Sequence, residues 1–136
     1  MIIGDSIAVG THMARPECAE YATGGLNTWQ WNKKYKTADL TARSVIISLG
    51  TNDHEYIKTR KELEAMRARV NADHVYWVLP YGNLYPKGGV PIETIQATVT
   101  AVARAHGDTI IPFTRVQKDG IHPSWAGYKQ IAEATK

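Results

Sequence analysis

Four short, uninterrupted apolar runs constrain the fold of this chain more than any other feature of its sequence. They cover residues 1–3, 45–49, 75–79 and 109–113, and Glu20–Ala22 is a weaker fifth candidate. Continuous runs of this length are typical of strands buried on both faces of a parallel sheet, because a strand with one wet face alternates apolar and polar residues. The sequence therefore predicts about five parallel strands.

Helical patterns fill the segments between these runs. Apolar side chains recur at helical spacing in five segments, which begin near Ser6, Leu26, Thr59, Pro91 and Ser124. Thr59 to Glu62 has the sequence of a capping box, Pro91 suits the first helical position, and Gly107 suits the residue after a helix end. Strand and helix thus alternate about five times, which predicts an α/β fold with helices on both faces of a parallel sheet. We expect one domain over residues 1–136.

Polar residues and glycines follow the predicted strands at the points where those strands end. Ser6 follows the first strand, Gly24 and Gly25 follow the second, and Asn52 follows the third. His122 stands in the loop after the last strand. The functional crevice of an open parallel sheet lies at the carboxyl ends of its strands, so we expect these residues to converge.

These residue types supply each role that acyl transfer requires. Ser6 is a candidate nucleophile at a strand-to-helix junction, where helix N–H groups point toward its hydroxyl. His122 can accept the serine proton, and Asp119 is close enough in the chain to orient the imidazole. The Ser6 N–H, the Asn52 amide and the Gly25 N–H are the predicted oxyanion donors, with Gly24 as the alternative to Gly25.

Four sequence blocks resemble the signature blocks of the SGNH (GDSL-type) hydrolases, in the same order. Residues 4–6 (Gly-Asp-Ser), 23–28, 50–53 (Gly-Thr-Asn-Asp) and 119–124 (Asp-Gly-Ile-His-Pro-Ser) carry the resemblance, and Gly-Tyr at 127–128 continues the last block. The resemblance implies a three-layer α/β/α sandwich with a flavodoxin-like sheet, and ester hydrolysis as the activity. It also implies Ser6 as nucleophile and Asn52 as the side-chain oxyanion donor.

Aromatic and polar residues near these blocks are candidate substrate contacts. We predict Asp5, His54, Tyr81 and Trp125 in this role, although short acidic residues such as Asp5 and Asp53 more often bond their own turns. Trp29, Trp31 and Tyr85 also stand near the predicted site, and amphipathic rings of this kind stack on sugars. A carbohydrate ester is therefore a candidate substrate beside other small-molecule esters.

Composition narrows the remaining possibilities. The 136 residues are 43% hydrophobic and 21% charged, which is typical of a globular domain and excludes a disordered or fibrous chain. A net charge of +3 is too small to indicate a nucleic-acid partner. No metal-ligand spacing or phosphate-binding glycine motif is present, so we expect no cofactor. Neither a signal peptide nor a membrane-spanning run is visible, and the sequence leaves the compartment, the oligomeric state and the native start open.

The short length also bears on the substrate. Because the four blocks take up nearly all of the strand ends, we expect no lid, an open shallow site and a short acyl group such as acetyl. A thioesterase or lysophospholipase of the same family is the alternative within the enzyme class. A glycan-binding module without catalysis is the alternative outside it.

Overall fold

Five strands and five helices alternate along the chain in the computed structural model, which describes residues 1–81 and 89–136. The strands are β1 (Ile2–Gly4), β2 (Glu20–Ala22), β3 (Ser44–Ser48), β4 (His74–Val78) and β5 (Thr109–Ile111). The helices are α1 (Ser6–Ala14), α2 (Thr28–Lys34), α3 (Thr59–Arg67), α4 (Ile92–Ala105) and α5 (Trp125–Ala134). The predicted alternation is confirmed.

The strands form one parallel sheet in the order β2-β1-β3-β4-β5. This is the flavodoxin-like order, in which β2 lies on one side of β1 and the later strands are added on the other side. A helix connects each strand to the next and returns the chain to the opposite edge of the sheet. The carboxyl ends of all five strands therefore lie at the same edge. The expected α/β/α architecture is confirmed.

Two apolar layers hold helices against the two faces of the sheet. Successive residues of a strand pack into opposite apolar layers. Ile2 and Ile46 belong to one layer, whereas Ile3 and Ile47 belong to the other. Helices α1 and α5 cover the first face, and helices α2, α3 and α4 cover the second. Every strand of the sheet interior is therefore wrapped on both sides, which explains the uninterrupted apolar runs in the sequence.

Close packing between α1 and α5 depends on one glycine. A Cβ at Gly10 would collide with the ring of Tyr128, which lies flat against α1. Tyr128 is 9% exposed and belongs to the same apolar layer as Ile7 and Ile131. The fit of these two helices matters for function because α1 begins at Ser6 and α5 follows the loop that contains His122.

The predicted helix starts are partly wrong. The predicted capping box at Thr59 does not form, since the N-cap of α3 is Lys58 and no side chain caps the helix. The Thr59 hydroxyl donates instead to Asp53 Oδ2 at 2.7 Å, so a tertiary partner replaces the local one. Pro91 is the N-cap of α4 and not its first residue. Ser124 caps α5 as predicted, because its hydroxyl accepts the N–H of Gly127.

The longest predicted loop, residues 81–90, lies only partly within the described structure. Residues 82–88, which include Tyr85, fall outside it. Among the helices of the described residues, none combines the length and the apolar character needed to cross a membrane.

Candidate active site

A sharp turn between β1 and α1 places Ser6 at the carboxyl edge of the sheet. Gly4 has φ +142°, and a Cβ there would collide with the carbonyl oxygen of Ser48 on the neighbouring strand. The next residue continues this contact, since the Asp5 N–H donates to the same oxygen at 3.0 Å. Asp5 is the N-cap of α1, and Ser6 is the first helical residue. The cap role that a serine commonly plays before a helix therefore belongs to Asp5.

Ser6, His122 and Asp119 form a continuous hydrogen-bonded chain. The Ser6 Oγ lies 2.9 Å from His122 Nε2, and His122 Nδ1 lies 2.6 Å from Asp119 Oδ2. Because an ionised carboxylate only accepts, Nδ1 carries the proton and Nε2 is free to accept from the serine hydroxyl. A general base needs this protonation pattern to activate a hydroxyl nucleophile. The side chains of His122 and Asp119 are 28% and 40% exposed, so the site is open to solvent.

The loop before α5 holds His122 and Asp119 through its own hydrogen bonds. Asp119 Oδ1 accepts the N–H groups of Ile121 and His122, at 2.9 and 3.0 Å. The Gln117 N–H donates to the carbonyl of His122 at 2.8 Å and closes the loop from the other side. One compact turn therefore fixes the positions of both His122 and Asp119.

These same bonds decide the ionisation of Asp119. Partial desolvation acts to raise its pKa, but the donors from Ile121 and His122 together outweigh this effect. The pKa of Asp119 consequently lies below its ordinary value. Asp119 remains an anion over the whole range in which an imidazole can act as a base, as an orienting carboxylate must.

The predicted oxyanion donors lie on loops that contact each other. Asn52 Nδ2 donates to the carbonyl of Leu26 at 3.1 Å, which fixes the amide and leaves its second N–H for another acceptor. Gly24 approaches the nucleophile, since a Cβ there would lie 3.7 Å from Ser6 Cβ, and Gly25 adopts φ +80°. In residues 1–81 and 89–136, no oxygen accepts a hydrogen bond from the N–H of Ser6, Gly24 or Gly25. The choice between the two glycines stays a prediction.

Two acidic residues of the signature blocks are buried and organise the loops. Asp53 accepts hydrogen bonds from the Thr28 N–H, the Thr28 hydroxyl and the Thr59 hydroxyl, at 2.8, 2.8 and 2.7 Å. It thereby joins the loop of Asn52 to the starts of α2 and α3. Burial is the largest influence on Asp53 and raises its pKa despite these donors. The structural role expected for Asp53 agrees with this arrangement.

Asp5 is likewise buried, and the predicted substrate contact does not fit its position. Its side chain is 0% exposed, and its Oδ1 accepts from the Ile7 N–H at 3.0 Å and from the Ser48 hydroxyl at 3.3 Å. Its second oxygen, Oδ2, has no hydrogen-bond partner within the described part of the chain. Burial is the main cause that raises the pKa of Asp5 to about 7, against the lowering effect of its donors and of His122. Asp5 thus fixes the β1–α1 turn directly before Ser6.

Replacing Asp5 with asparagine should change how stability depends on pH. The unfolded chain releases this proton near 3.8, whereas the folded protein holds it until about pH 7. Between these values the folded state binds more protons, so the stability associated with neutral Asp5 is complete below about pH 4 and is lost as the pH rises to 7. We expect the free energy of unfolding of the wild type to fall by about 3 kcal/mol relative to Asp5→Asn between pH 5 and 8.

Urea unfolding at constant ionic strength measures this difference. Asparagine can still accept the bonds from Ile7 and Ser48 through its carbonyl oxygen, which makes it the matched variant. Parallel stability profiles for the two proteins would contradict the raised pKa of Asp5.

The other predicted substrate contacts differ in position and in exposure to solvent. Tyr81 stacks on Phe113, with ring centroids 5.6 Å apart, and belongs to the edge of an apolar layer. Trp125 is 55% exposed at the start of α5. Trp31 is 0% exposed, and its Nε1–H donates to the Tyr21 carbonyl, so a sugar-facing role for this ring is wrong. His54 lines a cleft next to the loop of Asn52.

This cleft is the feature that sequence reasoning missed. It has a volume of about 490 Å³, and it is formed by the start of α2, the loop after Asn52 and the start of α3. Trp29 and Tyr56 line it, and these are among the most exposed large side chains, at 46% and 83%. The position of Trp29 directly after the second sequence block indicated a place near the site, whereas no motif surrounds Tyr56. In the described residues, no cluster of three or more His, Cys, Asp or Glu side chains could hold a metal ion.

Comparisons with known proteins agree with this fold. No protein-family model and no curated protein matches the sequence. Among solved structures, a GDSL-like lipase from Bacteroides thetaiotaomicron aligns with a TM-score of 0.72 and 18% identity, over 96% of this chain and 82% of that chain. A member of the lipolytic G-D-S-L family from Veillonella parvula aligns with a TM-score of 0.64 and 16% identity, over 96% and 92%.

A third similar structure is an acetylxylan esterase from Geobacillus stearothermophilus, with a TM-score of 0.62 and 16% identity over 97% of this chain and 89% of that chain. All three likenesses extend over nearly the whole of this sequence. The chain therefore has the fold of the GDSL-like hydrolases. The resemblance to SGNH (GDSL-type) proteins that the four sequence blocks indicated is confirmed at the level of the fold.

Proposed function

We propose that this protein is a serine esterase that works through a covalent acyl-enzyme. The observation that carries the proposal is the hydrogen-bonded chain from Ser6 through His122 to Asp119 at the carboxyl edge of the sheet. A serine with a correctly protonated imidazole and an orienting carboxylate is the arrangement that acyl transfer requires. The fold shared with GDSL-like lipases and an acetylxylan esterase supports the same reaction class.

The reaction begins with attack of the Ser6 Oγ on the ester carbonyl carbon. His122 Nε2 accepts the hydroxyl proton as the new C–O bond forms, and Asp119 stabilises the imidazolium through its bond to Nδ1. Collapse of the tetrahedral intermediate breaks the bond to the alcohol, which leaves with the proton from His122. Water then attacks the acyl-enzyme, His122 takes its proton, and the returned proton restores the Ser6 hydroxyl as the acid departs.

Three donors are proposed to hold the oxyanion of both tetrahedral intermediates. They are the Ser6 N–H, the second N–H of the Asn52 amide, and the N–H of Gly25 or Gly24. The bond from Asn52 to Leu26 supports this role, because a donor held in advance needs no rearrangement as charge develops.

The acyl group is proposed to be short, with acetyl as the first candidate. The exposure of His122 and Asp119 supports an open site, which offers a long acyl chain little apolar surface to bury. A thioesterase or lysophospholipase is the alternative within the same reaction class, and it differs in the leaving group or in the chain length.

Hydrolysis of p-nitrophenyl esters tests this proposal. We expect no increase in kcat/KM from the acetate to the octanoate, because added methylenes gain little binding energy in an open site. A fluorophosphonate should add one label per chain, which a glycan-binding module would not take up.

A maximum at octanoate would refute the short acyl group, and absence of both turnover and label would refute the esterase. Faster release of thiol from acetyl thioesters than of alcohol from acetate esters would favour the thioesterase.

A further inference from the structure

The cleft beside the catalytic edge combines exposed aromatic rings with polar side chains. Its lining consists of residues from α2, from the loop after β3 and from the start of α3: Asn27, Trp29, Gln30, His54, Tyr56, Ile57, Lys58, Lys61 and Glu62. Its volume of about 490 Å³ is enough for one or two sugar rings.

Two short stretches of the chain join this cleft to the proposed oxyanion site. Asn27 follows Leu26, whose carbonyl accepts the hydrogen bond from the Asn52 amide. His54 stands two residues after Asn52 on the same loop and lines the cleft. A group bound in the cleft would therefore extend from the loops that hold the reacting ester, on the side of Asn52.

Trp29 and Tyr56 are both exposed in this one cleft, and a concave surface that carries aromatic rings beside a few polar groups is typical of a ligand site. Lys33 Nζ lies 4.5 Å from the centroid of the Trp29 ring. Lys33 lines a neighbouring cleft, to which Trp29 also contributes, but not the cleft beside the catalytic edge. Trp29 is therefore a residue that the two clefts share, and the ammonium group over its ring belongs to a residue of the neighbouring cleft.

Local contacts also hold Tyr56 in place despite its exposure. The ring of His54 meets the ring of Tyr56 edge to face, with centroids 6.0 Å apart and an interplanar angle of 66°. The Tyr56 N–H donates to His54 Nδ1 at 3.2 Å. The two walls of the cleft thus carry rings that the protein positions before any ligand arrives.

Apart from Ile57, the remaining lining residues are polar, which argues against an acyl chain as occupant. Lys58 and Lys61 take part in none of the ion pairs found among the described residues, so their ammonium groups are available as donors. Glu62 accepts from the Asn32 amide through Oε2 and retains acceptor capacity at Oε1. Burial of a hydrocarbon tail among these groups would leave them unsolvated, whereas sugar hydroxyls would satisfy them.

We propose that this cleft binds the sugar portion of an acylated oligosaccharide, with Trp29 as the ring against which the sugar stacks. The apolar C–H face of a pyranose matches the aromatic ring, and its hydroxyls match the lysines and the glutamate. This inference rests on the proposed esterase function, and it assigns the sugar of the leaving alcohol to the cleft, while the ester oxygen of that alcohol stays within reach of the proton on His122 Nε2.

Kinetics with two acetate esters test the assignment. The probes are acetylated xylotetraose and p-nitrophenyl acetate, whose leaving group is a single ring that lacks the hydroxyls and the further rings of the oligosaccharide. For Trp29→Ala we expect KM for acetylated xylotetraose to rise about 10-fold with little change in kcat, since stacking energy is present in both the bound and the transition state. The loss in kcat/KM should be about 10-fold larger than for p-nitrophenyl acetate. Trp29→Phe, which keeps an aromatic face, should recover most of it.

Control variants separate the cleft from other exposed side chains. Met13 is 67% exposed on α1 and lies outside the cleft lining, so Met13→Ala should leave both substrates unaffected. Trp125→Ala removes the exposed indole near His122. If Trp125→Ala shows the selective loss and Trp29→Ala does not, the sugar binds on α5 and the proposal is overturned. Equal losses on both substrates in Trp29→Ala would also overturn it, because they would indicate a structural role.

A binding measurement keeps this inference distinct from the esterase proposal. Calorimetric titration of unmodified xylotetraose into Ser6→Ala, and into Ser6→Ala with Trp29→Ala, needs no turnover. Binding to the first protein that weakens about 10-fold in the second supports the cleft even if no ester is hydrolysed, in which case the esterase proposal alone fails. Absence of binding to Ser6→Ala, or equal binding to both proteins, overturns the cleft assignment whatever the kinetics show.

Discussion

Replacing Ser6 with alanine should lower kcat for p-nitrophenyl acetate by at least about 10⁴-fold. Without the Oγ no acyl-enzyme can form, and the remaining residues can only position a water molecule and stabilise the oxyanion. His122 would keep its bond to Asp119, so the rest of the site stays assembled. Steady-state kinetics, together with loss of the fluorophosphonate mass adduct, measure the effect.

The folded state should tolerate this change well. The hydroxyl makes one partly exposed hydrogen bond to His122, and such a bond contributes about 1 kcal/mol or less to stability. Ser44→Ala is a matched control, because Ser44 begins β3 at the opposite edge of the sheet from the site. Retention of wild-type turnover by Ser6→Ala, or a comparable loss in Ser44→Ala, would remove Ser6 as the nucleophile.

Asp119→Asn should lower kcat by about 10³-fold while leaving the fold intact. The asparagine oxygen can still accept the N–H groups of Ile121 and His122 that hold the loop. Its amide nitrogen cannot accept from His122 Nδ1, however, so the imidazole turns to the tautomer that carries its proton on Nε2. That nitrogen would then face the Ser6 hydroxyl as a donor and could not act as a base.

Comparison with Asp119→Ala separates orientation from loop structure. Alanine removes both the imidazole contact and the two loop bonds, so it should also lower the free energy of unfolding, by about 1 kcal/mol. Asp39→Asn is the control for charge alone, since this exposed carboxylate accepts, within residues 1–81 and 89–136, only from the Thr41 hydroxyl. If Asp119→Asn kept turnover within a few-fold of the wild type, a water molecule would be sufficient to orient His122, and the triad would reduce to a Ser–His pair.

Much of the site was predictable because its residues follow strands. Strand ends are marked in the sequence by a change from apolar to polar residues, and parallel topology brings those ends together. Asn52 lies between Ser6 and His122 in the sequence. Ser6 and His122 are 116 residues apart, yet their side chains are within hydrogen-bond distance. Asp119 was predictable for a different reason, since its spacing from His122 lets one turn contain both.

The errors in prediction arise where packing or hydrogen bonding outside the local pattern fixes a side chain. Thr59 has the local pattern of a capping box, but its hydroxyl bonds Asp53. Asp5 stands beside the nucleophile in the sequence, but the β1–α1 turn directs it into the interior toward Ser48. Trp29 and Trp31 are two residues apart on α2, so one ring faces the cleft while the other is fully buried.

The sequence by itself determined the alternating strands and helices, the parallel sheet and the identity of the proposed catalytic residues. Each of these follows from a local pattern of apolar periodicity or from a short block at a strand end. Only the tertiary structure decided which acid caps the helix that begins at Ser6, which tryptophan faces solvent, and where the cleft beside the loop after Asn52 lies. The cap depends on the contact of Asp5 with Ser48 on β3, and the other two features depend on the packing of α2 and α3 around the loop after Asn52. Packing between distant segments leaves no periodic signal in any one of them.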